Sequence, residues 1–124
     1  MSDVRSYRDL MVWQRAMDVA VATYELTRTY PREELFSLTS QSRRAASSIA
    51  ANIAEGYGRA SKASYLSFLR IARGSLKELE THLILAERVG LSASGKISPL
   101  LEQTDELGRM LHGLIARVHG QPAG

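Results

Sequence analysis

Basic side chains are concentrated in the middle of this 124-residue chain. Residues 37–77 carry seven lysines and arginines but one carboxylate, Glu55, whereas the segments on either side each have a small net negative charge. The seven cations are Arg43, Arg44, Arg59, Lys62, Arg70, Arg73 and Lys77. If they converge in space, they favour a polyanion or an acidic protein surface as partner. The alternative is a solvated surface with a chance excess of arginine.

Four of these cations predict a basic stripe on one helix. At 100° per residue they fall within an arc of about 80°; they are Lys62, Arg70, Arg73 and Lys77. Each phosphate that they neutralise would release counterions, so binding would be sensitive to salt and tolerant of sequence. No helix-turn-helix, zinc finger or aromatic platform accompanies the stripe, so a nucleic acid would be recognised by its backbone and shape.

The pattern of residues does not predict catalysis, a metal site or a cofactor. The chain has no cysteine, which excludes thiolate nucleophiles and sulfur-based zinc sites. Asp105, His112 and His119 recur every seven residues, whereas metal-binding pairs on helices favour a spacing of three or four. The glycines around Tyr57 do not predict a phosphate loop, because such loops follow a strand. We therefore expect a protein that is not an enzyme.

Two polar residues of the second helix need partners. Asn52 is expected on the core side and Glu55 lies about one turn later, and an unpaired buried amide or carboxylate is costly. Facing residues that could pair with them include Ser75 and Glu78. We expect these side chains to form a structural polar network that fixes the register between helices.

Hydrophobic periodicity predicts an all-α fold. Four segments repeat with helical spacing, at about residues 8–28, 37–55, 61–89 and 98–119, and the length suits a single domain over residues 1–124. Three short connections imply antiparallel neighbours, and hence an up-down-up-down four-helix bundle. No apolar run is long enough to span a membrane and no signal-peptide pattern opens the chain, so we expect a cytoplasmic protein without a membrane partner.

Helix ends and faces can be predicted in more detail. Gly56-Tyr57-Gly58 is expected to end the second helix with left-handed residues, and Gly90 to end the third. Ser98-Pro99 predicts the start of the fourth helix. The predicted inward stripe of the first helix consists of Trp13, Ala16, Met17, Ala20 and Tyr24.

The first and third helices are apolar around more of their circumference than one core requires. On the third helix, a second apolar set lies well away from the main stripe and consists of Ile71, Leu85 and Val89. A helix that is apolar on two sides must be covered on two sides. We therefore predict self-association through these helices.

Several blocks of sequence resemble one bacterial family of four-helix bundles, the proteins encoded within intervening sequences of 23S ribosomal RNA genes. The blocks are Asp9-Leu10-x-Val12-Trp13-Gln14, Pro31-x-Glu33-Glu34-x-Phe36, Asn52-Ile53-Ala54-Glu55-Gly56 and Gly74-Ser75-Leu76-x-Glu78-Leu79. The resemblance covers most of residues 9–86. The fourth helix resembles the family only in pattern.

The resemblance implies a ring-shaped homo-oligomer, typically a homopentamer, with a positively charged surface and no enzymatic activity. A similar fold serves as the accessory protein of diversity-generating retroelements, where it engages a reverse transcriptase and nucleic acid. Two functions therefore remain open. The first is binding of RNA or DNA through the basic surface, with RNA favoured. The second is an adaptor that docks a protein partner such as a reverse transcriptase.

Overall fold

The computed structural model describes residues 4–122, and it contains helices but no strand over that range. Its four α-helices are α1 (Met11–Thr27), α2 (Ser40–Tyr57), α3 (Lys62–Arg88) and α4 (Ser94–His119). Each helix packs against its neighbour in sequence, and α4 also packs against α1. The four helices therefore enclose one core, as the periodicity predicted.

Leucine and isoleucine side chains from three helices fill the centre of this core. The largest of those with no exposed surface are Ile49, Ile53, Leu69, Leu76, Leu79, Leu83, Ile97, Leu107 and Leu111. Burial of one such side chain contributes about 1.5–3 kcal/mol. Helical spacing predicts an inward stripe for the second helix, and all of its members are buried: Leu38, Ala45, Ile49, Ile53 and Gly56. The stripe that the same spacing predicts for the third helix is buried from Leu69 onwards; its members are Tyr65, Phe68, Leu69, Ala72, Leu76, Leu79, Leu83 and Ala86.

The buried face of α1 differs from the predicted stripe. Met17 and Tyr24 are 39% and 40% exposed, whereas Val12, Val19 and Thr23 are buried. Thr23 lies inside because its hydroxyl donates a hydrogen bond of 2.8 Å to the carbonyl oxygen of Val19, within its own helix. A threonine that bonds its own helix is buried at little cost. Ala16 is buried and Trp13 and Ala20 pack against the core, so the prediction was wrong at Met17 and Tyr24 alone.

Gly90 ends α3 in the predicted way. Its φ is +81°, the single positive φ among the described residues. The Leu91 N–H donates to the Ala86 carbonyl at 2.9 Å, and the Gly90 N–H donates to the Glu87 carbonyl at 3.1 Å. These two bonds form a Schellman motif, which satisfies carbonyls that the helix end leaves without partners.

Two other predicted helix boundaries were wrong. The 56–58 segment contains no left-handed residue, and α2 continues through Gly56 to Tyr57. Helix α4 begins at Ser94 rather than Ser98, with Ala93 as its N-cap and Pro99 inside the helix. Ile97 explains the earlier start of α4, because its side chain has no exposed surface and a helical turn is needed to direct it into the core. Burial of Ile97 thus outweighs the local preference of proline for the first turn.

The chain enters α1 and α2 through short irregular helices. The spacing of Ser6 and Asp9 predicts a capping box at the start of the first helix. The two residues do form one, but it caps the 3₁₀ turn Tyr7–Asp9, and α1 starts after the extended residue Leu10. Between α1 and α2, a 3₁₀ turn at Arg32–Glu34 leads into a π-type segment at Leu35–Thr39. A kink at Ser37 within that segment explains why the regular α2 helix begins three residues later than predicted.

Gly56 permits close contact between α2 and α3. A Cβ atom at this position would lie 2.7 Å from the Cβ of Phe68 and 3.1 Å from the Tyr65 ring. The ring of Tyr57 contacts that of Tyr65 edge-on, with centroids 6.2 Å apart. Burial raises the pKa of Tyr65 and the neighbouring Tyr57 raises it further, while Arg117 acts in the opposite direction. Because a side chain at position 56 would collide with Phe68, Gly56 is required by packing rather than by its backbone conformation.

Gly56→Ala is expected to lower the free energy of unfolding by about 1–3 kcal/mol, the usual cost of overpacking a core. The Phe68 Cβ cannot move without shifting the α3 backbone, so the contact cannot relax cheaply. Chemical denaturation followed by circular dichroism measures the change. Gly95→Ala is the matched control, because a Cβ there meets nothing within 4 Å. Equal stability of the two variants would contradict this role for Gly56.

Candidate nucleic-acid interface

The predicted basic stripe lies along the N-terminal half of α3. Ser61 fixes the start of this helix, since its hydroxyl accepts a hydrogen bond of 3.1 Å from the Ser64 N–H. Arg70 is exposed, Arg73 is half-buried, and neither makes a hydrogen bond or ion pair within residues 4–122. Because residues three apart are neighbours on a helix surface, the two guanidinium groups form a short row of unpaired charge.

The inward side of this stripe lines a groove between α3 and α4. Its volume is about 420 Å³, and its lining includes Arg73 and Lys77 from α3 and Arg109 and His112 from α4. Asp105 is the carboxylate in the lining. Like Arg73, Arg109 has no hydrogen-bond or ion-pair partner among the described residues. The groove thus brings three cations and a histidine together against one acid.

Sequence reasoning missed Arg109. It lies four residues after Asp105 and three before His112, so it belongs to the same side of α4 as the heptad pattern already noted. The heptad spacing bears on metal binding, and it gives no sign that an arginine on the same flank faces α3. Pairing the polar flank of α4 with the basic stripe of α3 would have required the register between the two helices, which sequence alone does not provide.

The other predicted cations do not join this groove. Arg44 forms an ion pair with Glu78 across α2 and α3 at 3.0 Å. Arg43 turns towards α1, where it donates to the Thr27 hydroxyl at 2.9 Å and lies over the Tyr24 ring. The seven cations are therefore distributed over more than one side of the bundle.

Lys62, at the N-terminal end of the stripe, and Arg59 just before it are also engaged by neighbours. Arg59 pairs with Glu55 at 3.1 Å and lies over the ring of Phe68, 4.8 Å from its centroid. Lys62 donates a hydrogen bond of 2.6 Å to the carbonyl oxygen of Gln121. These exposed contacts are weak in water and easily exchanged for a ligand. Among the cations of the α3 stripe and of the α3–α4 groove, they leave Arg70, Arg73 and Arg109 without a hydrogen bond or ion pair to any of residues 4–122.

Lys77 is the third cation of the groove and is partly neutralised. It pairs with Glu80 at 3.0 Å, one helical turn further along α3. A lysine in an exposed pair of this kind contributes only a few tenths of a kcal/mol to stability, so it remains available to a stronger anion.

The expected polar network exists in part and is split into separate clusters. Ser48 links α2 to α3 through a 2.9 Å hydrogen bond with Ser75, and the Asn52 side-chain amide donates to the Ser48 carbonyl and hydroxyl. Asn52 thus finds its partner on its own helix. Glu55 does not belong to this network, because it is exposed and pairs with Arg59.

Glu78 forms a second polar cluster on the same side of the bundle. It accepts from Arg44 at 3.0 Å and contacts the His82 Nε2 at 3.2 Å. The side chains of Arg44 and Glu78 are 65% and 36% exposed, so solvent screens the pair. Register between α2 and α3 is therefore set mainly by the Ser48–Ser75 contact and by the Gly56 contact described above.

Neither a catalytic constellation nor a metal cage appears in the described part of the chain. No group of three or more histidine, aspartate or glutamate side chains there could hold a metal ion. None of the helices in residues 4–122 combines the length and the hydropathy needed to cross a membrane.

Acidic residues dominate a second groove, between α1 and α4. It has a volume of about 690 Å³, and its charged lining comprises Arg15, Asp18, Glu25, Glu102 and Glu106. Arg15 forms an ion pair with Glu106 across this groove. Two neighbouring sides of the bundle, which share α4, thus carry opposite charge, and anions are attracted to the α3–α4 side.

These features define a class: an all-helical four-helix bundle with a cationic groove between two of its helices. A family model for 23S rRNA-intervening sequence proteins matches residues 8–113. The chain belongs to this family, as its sequence motifs suggested. No curated protein matches the chain.

A solved structure has a similar fold. It is the 1.70 Å crystal structure of a protein of unknown function from the S23 ribosomal protein family of Bacteroides thetaiotaomicron VPI-5482. The TM-score is 0.79 at 25% sequence identity, and the match covers 85% of this chain and 98% of the other. The similarity therefore extends over nearly the whole bundle.

Proposed function

We propose that the chain is a non-enzymatic, oligomeric RNA-binding protein that acts through the basic side formed by α3 and α4. The observation that carries this proposal is a set of three arginines on this one side that make no hydrogen bond or ion pair within residues 4–122, namely Arg70, Arg73 and Arg109. Unpaired cations on one side attract a polyanion. The name of the family refers to 23S rRNA genes, which favours RNA over DNA as the ligand.

An antiparallel up-down-up-down arrangement is the topology that we propose for the bundle. Contacts between α2 and α3 support it: Arg44 meets Glu78, Ser48 meets Ser75, and Gly56 lies against Phe68. Residue numbers rise along α2 as they fall along α3, which is the register of an antiparallel pair.

The second part of the proposal is that the chain self-associates into a ring. In the single chain Ile71, Leu85 and Val89 of α3 are 50%, 45% and 60% exposed. Gly74 lies in the middle of α3 with nothing within 4 Å of its Cβ position. A mid-helix glycine costs about 1 kcal/mol relative to alanine, so its presence favours close approach by another molecule. Family resemblance is the basis for proposing a pentameric ring, and the cytoplasmic location remains an expectation from the sequence.

Phe36 favours the second candidate function, an adaptor for a protein partner. Its ring is 91% exposed and lies in the kinked segment between α1 and α2. An aromatic side chain left in water is a common anchor for a protein interface. The partner would be a protein such as a reverse transcriptase. Affinity capture from native lysate, with and without ribonuclease, separates an RNA-mediated partner from a direct one.

Titration of a fluorescent RNA hairpin with the purified chain tests the first function. Anisotropy is expected to report binding at about 50 mM salt that weakens by about a hundredfold or more by about 200 mM, because several phosphate contacts release counterions. An uncharged morpholino hairpin of the same sequence is the control and should not bind. Absence of RNA binding at the low salt concentration would contradict the proposed function.

A further inference from the structure

We propose that the groove between α3 and α4 holds a backbone phosphate of the bound RNA, with the guanidinium groups of Arg73 and Arg109 as its principal ligands. This inference rests on the proposed function, and it assigns that function to one site. It adds Arg109, on α4, to a surface that the sequence located on α2 and α3 alone.

Charge provides the first argument. Arg73 and Arg109 come from different helices, line the same groove and have no hydrogen-bond or ion-pair partner within residues 4–122. Like charges held on the two sides of one groove repel each other, and the repulsion is stronger where protein replaces water. An anion between them converts that repulsion into attraction. A guanidinium group also presents a planar pair of N–H donors that matches two oxygens of one phosphate.

The shape of the groove provides the second argument. Gly108 contributes no side chain to the lining, and Thr104 is buried with its hydroxyl already donating to the Leu101 carbonyl at 2.8 Å. Neither residue fills the groove, so its volume of about 420 Å³ is accessible to a ligand beside the arginines. His112 stands beside Arg109 on the next turn of α4 and can donate a ring N–H to the same anion.

The remaining charges of the groove favour a phosphate position close to Arg73 and Arg109. Asp105 repels an anion, and Lys77 shares its charge with Glu80 at 3.0 Å. Arg70 continues the row of cations outwards along α3, since it lies three residues before Arg73. A row of charge that leads out of a groove suits a polymer with regularly spaced phosphates better than a single carboxylate on a protein surface.

The test compares the full-length chain with Arg73→Gln/Arg109→Gln by anisotropy with the fluorescent RNA hairpin. The double variant is expected to bind about tenfold or more weakly, and the slope of log affinity against log salt should fall by about 1, because the one phosphate that the two arginines hold is no longer neutralised. The matched control is Arg28→Gln/Arg88→Gln, which removes the same charge from two exposed positions outside the groove. The control should stay within about twofold of wild type, since it leaves the phosphate contacts intact. Thermal melting verifies that both variants fold.

Three other outcomes would overturn the inference, and they are distinguishable. If the groove variant binds RNA as well as the control does, the phosphate site is wrong but the proposed function survives. If wild type itself binds no RNA, both fail. A polyglutamate peptide serves as the protein-like competitor. If it binds as tightly as RNA and loses affinity only in the groove variant, the groove serves an acidic protein partner and not a phosphate.

Discussion

Replacing Ile71 and Leu85 together with glutamate is expected to convert the purified protein from an oligomer into the 13.7 kDa single chain. Both side chains are about half exposed in the isolated bundle, so the charges do not disturb its core. In an interface between copies, an unpaired buried charge costs roughly 3–5 kcal/mol, enough to weaken association more than a hundredfold. Size-exclusion chromatography with light scattering at micromolar concentration measures the mass.

Ala116→Glu is the control for that experiment. Ala116 is an exposed small apolar residue on α4, outside the proposed interface, and the substitution introduces the same side chain. It should leave the oligomer unchanged. A wild-type protein that already runs as a single chain would contradict self-association, and so would an oligomer that survives both glutamates on α3.

Charge reversal of the α3 stripe is expected to abolish most RNA binding. The variant Arg70→Glu/Arg73→Glu/Lys77→Glu replaces three phosphate contacts with three repulsions, and affinity at about 50 mM salt should fall by more than about a hundredfold. Fluorescence anisotropy with the RNA hairpin measures the loss. The effect exceeds that of the neutral groove variant because like charge also repels the ligand at a distance.

The control for charge reversal must have the same net charge. Arg28→Glu/Arg32→Glu/Arg88→Glu meets this requirement, because all three arginines are exposed and lie outside the stripe. General electrostatic steering decreases equally in both triple variants, so any difference between them reports local contacts. Equal loss of affinity in the two would show that RNA responds only to net charge and would refute a defined surface on α3.

Periodicity predicted the helices well because it depends on burial, which the core enforces. The stripe that runs from Leu69 to Ala86 on α3 is buried as expected, and Gly90 ends that helix for the expected reason. The prediction from sequence failed where hydrophobicity and side-chain hydrogen bonding favour different residues for the buried face. On α1 the threonine Thr23 lies inside while Met17 lies outside, because a hydroxyl that bonds its own helix loses little on burial.

Gly56 shows a different limit of sequence reasoning. Its position near the end of α2 suggested that it ends the helix in a left-handed conformation. Its backbone is instead helical, and the missing side chain allows α3 to pack closely at Phe68. A glycine in a sequence does not reveal whether it serves a turn or a close contact. The distinction depends on a neighbour twelve residues away, across a helix-helix interface.

The candidate site was only half predictable for a related reason. Arg70 and Arg73 share one helix, so the helical wheel placed them together correctly. Arg43 and Arg44 were grouped with them by proximity in sequence, yet they contact different helices, at Thr27 and Glu78. Arg109 was missed because its meeting with Arg73 depends on how α3 and α4 align.

Native mass spectrometry of the wild-type chain mixed with the RNA hairpin tests the central claim most directly, because it reports subunit number and bound RNA in one spectrum. The account predicts an assembly of several 13.7 kDa chains that carries RNA at low ionic strength and loses it as ammonium acetate is raised. A spectrum that contains only single chains without RNA would contradict it.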